Sequence, residues 1–112
     1  MSRLPDAANA IVEDAKIIRY LLNAAHRKGG AKSAFFASFG FSGANWLQLK
    51  SALLNHPLTN EITSQTGSSH GEKYAVSCNL ATPDGRNPCI VSVWIIQPPS
   101  NYPRFVTAYP SG

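Results

Sequence analysis

The chain changes its hydrophobic period near the midpoint. Up to about residue 56 apolar residues recur at three- and four-residue spacing, and from residue 60 they alternate singly with polar ones. In the first half, Ile17, Ile18, Leu21 and Leu22 form an i, i+1, i+4, i+5 stripe that predicts helix one from about Glu13 to Ala25. Acids in its first turn and His26-Arg27-Lys28 after its last suit the helix dipole, and Gly29-Gly30 stops it. A second helix, from about Ala31 to Phe39, is expected to bury Phe35 and Phe39 with Phe36 alongside, and to end at Gly40. Ser42 caps a third, in which Trp46, Leu49 and Leu53 share one face and Leu47 and Leu54 widen it. Pro57 is expected to close that helix, leaving His56 as no more than a cap. Residues 1–12 read as a leader whose Leu4-Pro5 and Ile11-Val12 tuck into the core, with Asp6 and Asn9 turning the chain between them.

In the second half Glu61 to Thr66 alternates, and Gly67-Ser68-Ser69-His70-Gly71 reads as a mobile hairpin loop. Tyr74, Val76, Cys78 and Leu80 alternate with Ala75, Ser77 and Asn79, the pattern of a half-buried strand. Pro83-Asp84-Gly85 is a turn, because proline presets the first turn angle and glycine takes the left-handed position. Ile90 to Ile96 is apolar on both faces, as a central strand should be, and after Pro98-Pro99-Ser100-Asn101 the last strand runs from Arg104 to Tyr109. Simple alternation puts Phe105, Thr107 and Tyr109 on one face of it and Val106 and Ala108 on the other. The expected fold is α+β, with about three N-terminal helices packed on one face of a four-stranded antiparallel sheet. It is a single domain over 1–112, divided into a leader (1–12), a helical half (13–56) and the sheet (60–110).

Composition narrows the class. With 44% hydrophobic and 14% charged residues the chain is an ordered globular one. No apolar run approaches the roughly 18 residues that a membrane helix needs. Pro5, Asp6 and Asn9 stand where a signal peptide would be apolar, so a cytoplasmic protein, or one delivered into a target-cell cytoplasm, is expected. The turn between the two cysteines sets Cys78 opposite Ile90 and not Cys89, so two buried free thiols are expected and a disulfide is not.

Charge leaves two readings open, a polyanion partner or a modestly basic solvated surface. Between Asp14 and Glu61 there is no acid, while Lys16, Arg19, Arg27, Lys28, Lys32 and Lys50 all fall there, and the net charge is +4. The six acids are scattered singly, against a two-metal carboxylate site, and there is no phosphate-binding glycine loop, zinc spacing or nucleophile elbow. No metal and no cofactor are expected. What remains is His, Lys, Arg, Thr and Tyr, a set suited to metal-free phosphodiester transesterification. His26 extends the apolar stripe to the end of helix one, and Lys32 sits in the first turn of helix two, where the dipole disfavours a cation. Thr107 and Tyr109 place two hydroxyls about 7 Å apart along one strand.

The arrangement His26-x-x-Gly29-x-x-Lys32-x-x-Phe35-Phe36, Gly40-Phe41, Gly71-x-Lys73-Tyr74, Pro83-x-Gly85-Arg86, Val93-Trp94 and Pro103-Arg104-x-Val106-Thr107-Ala108-Tyr109-Pro110 resembles a family of small bacterial domains of unknown function. That pattern is also similar to the C-terminal tips of polymorphic toxins. More distantly, helices first, four antiparallel strands next and a terminal Thr-x-Tyr-Pro resemble the barnase–EndoU–colicin–RelE superfold of ribonucleases. EndoU-type enzymes use two histidines and a lysine. Here only His26 matches a motif position, so Lys73 or His70 would take the second role. The resemblance implies a metal-independent endoribonuclease of bacterial toxin type that cleaves tRNA or mRNA by 2′-hydroxyl attack, leaving 2′,3′-cyclic phosphate ends. His26, Lys32, Lys73, Thr107 and Tyr109 are then the catalytic candidates, and Arg27, Lys28, Arg86 and Arg104 the RNA-binding ones. An acidic antitoxin or immunity protein is the implied partner. The alternative is a non-catalytic RNA- or protein-binding module of a toxin–antitoxin or toxin–immunity pair. The inhibitor of such a pair is a poorer fit, because inhibitors of basic nucleases are acidic and this chain is basic.

Overall fold

A computed structural model describes residues 2–23, 25 and 30–111. It shows an α+β fold, with the helices first and then an antiparallel sheet in the order β1-β2-β3-β4. The strands are β1 (Glu61–Ser68), β2 (Gly71–Asn79), β3 (Cys89–Ile96) and β4 (Arg104–Pro110). The hairpin between β1 and β2 is tighter than its glycines and serines suggest, with Ser68 paired to Gly71 and only Ser69 and His70 in the turn. Gly71 has φ +133, and a Cβ there would overlap the Ile96 carbonyl oxygen.

The helices lie on one face. Helix α1 (Asp14–Lys16) continues as a wider π-type turn over Ile17–Leu21, in which the Leu22 N–H reaches back to the Ile17 carbonyl. That winding departs from the expected stripe: Ile17 and Leu21 are fully buried, whereas Ile18 is 46% exposed. Helix α2 (Gly30–Ala37) buries Phe36, with Phe35 and Phe39 only half-buried against it, reversing the expected order. Gly40, at φ +101, then reverses the chain so that the Phe41 N–H bonds the Phe36 carbonyl. The Asn45 carboxamide accepts from the Ser42 N–H, and a short 3-10 turn over Gly43–Asn45 leads into α3 (Trp46–Thr59). Leu49 and Leu53 are buried as expected, but Leu47 is 60% exposed.

Pro57 does not end α3. Lacking an N–H, it forfeits only its own bond to the preceding turn, so close to the helix end that little else is lost. The last carbonyls are taken up by side chains: Thr59 Oγ1 donates to Asn55, and Asn60 Nδ2 to His56 and to Asn79. His56 is therefore not a cap. It is 1% exposed, between α3 and the two central strands. Its Nε2 lies 2.8 Å from the Cys78 carbonyl, which can only accept, so Nε2 carries the proton. Nδ1 then accepts from Ser92 Oγ at 2.7 Å, and Ser92 Oγ accepts from Trp94 Nε1 at 2.8 Å. Every polar atom of the network thus has a partner of the right kind, and Ser92 Oγ has two.

Strand β4 carries a bulge. Thr107 pairs with Val93 and Tyr109 with Val91, but Phe105 pairs with Trp94, which leaves Val106 as the extra residue. Phe105 and Ala108 thus both face the helices, and Phe105 parts company with Thr107 and Tyr109. Cys78 departs from its strand too. It stands opposite Ile90 as the turn geometry requires, yet it has φ 142 and is exposed, so the expected buried thiol is not found. The leader puts Leu4 and Val12 in the core, while Ile11 is exposed and bridges to β4 through the Pro103 carbonyl and the Phe105 N–H.

Removing the imidazole (His56→Ala) leaves the Cys78 carbonyl and the Ser92–Trp94 pair short of a partner and costs about 3 kcal/mol in denaturant unfolding. Burial, against the opposing pull of the Cys78 carbonyl, holds His56 below the 6.5 of a free histidine. The unfolded chain therefore takes up this proton first, and stability is full above about pH 6.5 and declines as pH falls below it. Urea midpoints that stay level across that window would contradict the assignment of a neutral buried imidazole.

Candidate functional site

Side chains from three elements meet at the outer edge of β4. Lys16 comes from α1, Tyr20 from its π-type continuation, Lys32 from the first turn of α2, and Thr107 from just past the bulge. The Tyr20 phenol oxygen lies 2.9 Å from Thr107 Oγ1 and 2.5 Å from Lys32 Nζ, and the ammonium must be the donor to it. Both lysines also approach the face of the ring, Lys32 Nζ at 5.0 Å and Lys16 Nζ at 5.4 Å from its centre. Lys16 Nζ donates in addition to the carbonyl of the bulge residue Val106, at 3.2 Å. An i, i+4 pair on one helical segment thus grips the bulge at two successive residues.

Burial pushes the Tyr20 phenol up, but it is outweighed. The hydrogen bonds of Lys32 and Thr107 and the charges of Lys32 and Lys16 hold the group below the 10.0 of a free tyrosine. The result is a phenol that gives up its proton more readily than an ordinary one. Among the described residues, neither Lys16 nor Lys32 has a carboxylate within ion-pair distance; the ion pairs are made elsewhere, Asp14 with Lys50, Asp84 with Arg86 and Glu13 with Arg104. Among the described residues the cluster is thus cationic with no acidic partner, the electrostatic condition for receiving an anion.

The sheet face away from the helices is open, and its pairing forms rows. One row is Lys73, Ile95 and Arg104; the next is Ala75, Val93 and Thr107; the third is Ser77, Val91 and Tyr109. Lys73, Arg104 and Tyr109 are exposed, the last by 39%.

The expected site residues are distributed as follows. Lys32 and Thr107 come together, joined through Tyr20, which the sequence had not suggested. Tyr109 lies two residues from Thr107 on the open face, about 7 Å along the strand. Lys73 lies on that face two strands away, about 10 Å across the sheet. Arg86 is engaged beyond the far end of α2, over the Phe39 ring at 4.4 Å, with Asp84 and the Ser38 carbonyl as partners. The Asp84 carboxyl is held low there, chiefly by the Arg86 N–H. Arg104 ion-pairs with Glu13 at 3.6 Å. His26, Arg27 and Lys28 lie outside the described residues. His70 is exposed in the β1–β2 turn. Among the described residues no cluster of three or more His, Cys, Asp or Glu side chains is placed to hold a metal ion, and no helix is long and apolar enough to cross a membrane.

Tyr20 carried one faint signal: it follows Lys16 by four residues on a helical segment and precedes Lys32, whose position already breaks the dipole rule. A phenolate absorbance titration should show Tyr20 ionising below the 10.0 of a free tyrosine, and Lys32→Met should raise its pKa. An unchanged titration curve in that variant would contradict the Lys32–Tyr20 contact.

Comparison with known proteins places this geometry in a family. The chain belongs to the family described as a domain of unknown function (DUF6883), whose model matches residues 3–112. Among curated protein sequences none matches. Among solved structures, the fold is similar to that of a chain in a contact-dependent growth inhibition toxin–immunity protein complex from Klebsiella pneumoniae 342. The TM-score is 0.72 and the identity 16%, over 95% of this chain and 97% of that one.

Proposed function

We propose that this family member is a metal-independent endoribonuclease of bacterial toxin type, with Tyr20, Lys32 and Thr107 at the centre of its site. The observation that carries the reading is the cationic Tyr20–Lys32–Thr107 cluster on the last strand, with two lysines unpaired by carboxylates among the described residues. The fold shared with a chain of a toxin–immunity complex supports the toxin setting. In the sequence His26 lies between Tyr20 and Lys32.

The chemistry is transesterification. His26 takes the proton of the 2′-hydroxyl, the 2′-oxygen bonds to phosphorus, and the bond from phosphorus to the 5′-oxygen breaks. Tyr20, with its proton loosened by Lys32, protonates the leaving 5′-oxygen, a role that its place in the cluster suits better than those of Lys73 or Tyr109. Lys32 and Lys16 offset the charge of the phosphorane. Thr107 orients the phenol. Arg27, Lys28 and Arg104 meet flanking phosphates, and Lys73 and Tyr109 meet nucleotides that cross the open sheet face. The products carry 2′,3′-cyclic phosphates, and an acidic immunity protein or antitoxin that covers the cluster is the expected partner.

Purified protein incubated with total tRNA and mRNA in excess EDTA should yield cyclic-phosphate ends. Tyr20→Phe, Lys32→Met and His26→Ala should each lower kcat by about a hundredfold or more. Cleavage undiminished in these variants removes the site as drawn. RNA binding without cleavage by the wild type would instead make the chain the non-catalytic module of such a pair.

A further inference from the structure

The two cysteines of the chain stand where strand pairing alone would keep them apart. Asn79 pairs with Cys89 and Cys78 with Ile90, so regular alternation would send the two side chains to opposite faces of the sheet. Cys78 breaks the alternation. Its φ of 142 lies in the region that L side chains rarely adopt, and its side chain is exposed where Val76 before it and Leu80 after it are buried. The thiol lies instead in the neighbourhood of Cys89, near enough to disfavour ionisation of the Cys89 sulfur. Strand spacing and residue rise put the two Cα atoms about 6 Å apart, inside the span that a disulfide bridges.

The strained backbone has a fixed cause. The Cys78 carbonyl is held by His56 Nε2 from α3, and the next residue is tied down by Asn79 Nδ2 to the Asn87 carbonyl and by Asn60 Nδ2 to the Asn79 carbonyl. These bonds hold Cys78 in its turned conformation, with one thiol outward and its neighbour half-covered behind it.

We infer that Cys78 and Cys89 form a thiol-modification site, an attacking and a resolving cysteine that take a small-molecule disulfide as their substrate. The Cys78 thiolate attacks one sulfur of the small disulfide, forms a mixed disulfide and releases one small thiol. Cys89 Sγ, giving its proton to solvent, then attacks Cys78 Sγ, forms the Cys78–Cys89 bond and releases the second small thiol. The protein loses two hydrogens and the small disulfide gains two. Burial, and then the neighbouring Cys78 thiol, hold the Cys89 thiol above its ordinary range, which leaves first attack to the exposed partner. The site lies at the end of β2 and β3 that joins the Thr82–Asn87 loop, and it is independent of the Tyr20 cluster.

The test uses the whole reduced protein and oxidised glutathione. The wild type should lose two hydrogen masses and both alkylatable thiols while remaining a single chain on a non-reducing gel. Its equilibrium constant for closure should exceed that of the same chain in urea by about tenfold or more. Cys89→Ser should stop at the first step and gain one glutathione, removable by dithiothreitol, whereas Cys78→Ser should remain largely unmodified. Disulfides formed only between chains, or closure no more favourable in the folded than in the unfolded protein, would overturn the inference. So would glutathione captured at Cys89 in preference to Cys78. The RNA-cleavage assay does not enter the readout, so failure here and failure of the ribonuclease reading are separate results.

Discussion

One neutral imidazole holds the two layers of this domain in register. His56 has a single workable tautomer, because one ring nitrogen faces a carbonyl and the other faces a hydroxyl already accepting from an indole. The carbonyl belongs to β2 and the hydroxyl to β3, so the helix that bears the histidine cannot slide along the sheet without breaking one bond or the other. A purely apolar contact between α3 and the sheet would tolerate such sliding, since Leu49 and Leu53 could meet neighbouring side chains at little cost. The network adds direction to a core that is otherwise hydrophobic. It also explains why Cys78 keeps an unfavourable backbone angle near the end of a central strand.

The candidate site depends on that register at one remove. With α3 fixed, the leader, α1 and α2 fill the remaining helical layer, and α1 reaches the edge of β4. There Lys16 and Tyr20 meet the bulge, one through the backbone of Val106 and the other through the side chain of Thr107. Without the bulge Phe105 and Thr107 would share a face, and one of the core and the site would lose its residue. The extra residue lets one strand serve both.

Much of the architecture was legible in the sequence. The change of period near residue 60, the Pro83-Asp84-Gly85 turn and the register of Cys78 with Ile90 follow from side-chain periodicity and turn chemistry, which act locally. Lys32 was legible for the same reason, as a cation at the wrong end of a helix. What escaped was set by tertiary contact. The buried role of His56 requires Ser92 and Trp94, which are distant in sequence. The π-type winding that buries Ile17 and leaves Ile18 exposed is not visible in a stripe that contains both. The bulge at Val106 leaves no mark in a run of strand-forming residues. Tyr20 gains its chemistry only when α2 and β4 close on it.

The leader touches both margins of the sheet, since the Ser2 carbonyl accepts from the Ile62 N–H on β1 and Ile11 bridges to β4 on the opposite side. The β4 margin is further covered by the contacts of Lys16 and Tyr20, whereas the rest of β1 leaves its outer backbone groups to solvent, flanked by Thr63, Ser64, Gln65 and Thr66. The two margins are therefore unequal as templates. Among the described residues the β1 margin is the more open of the two to an added strand, and its exposed polar side chains are the feature that guards it.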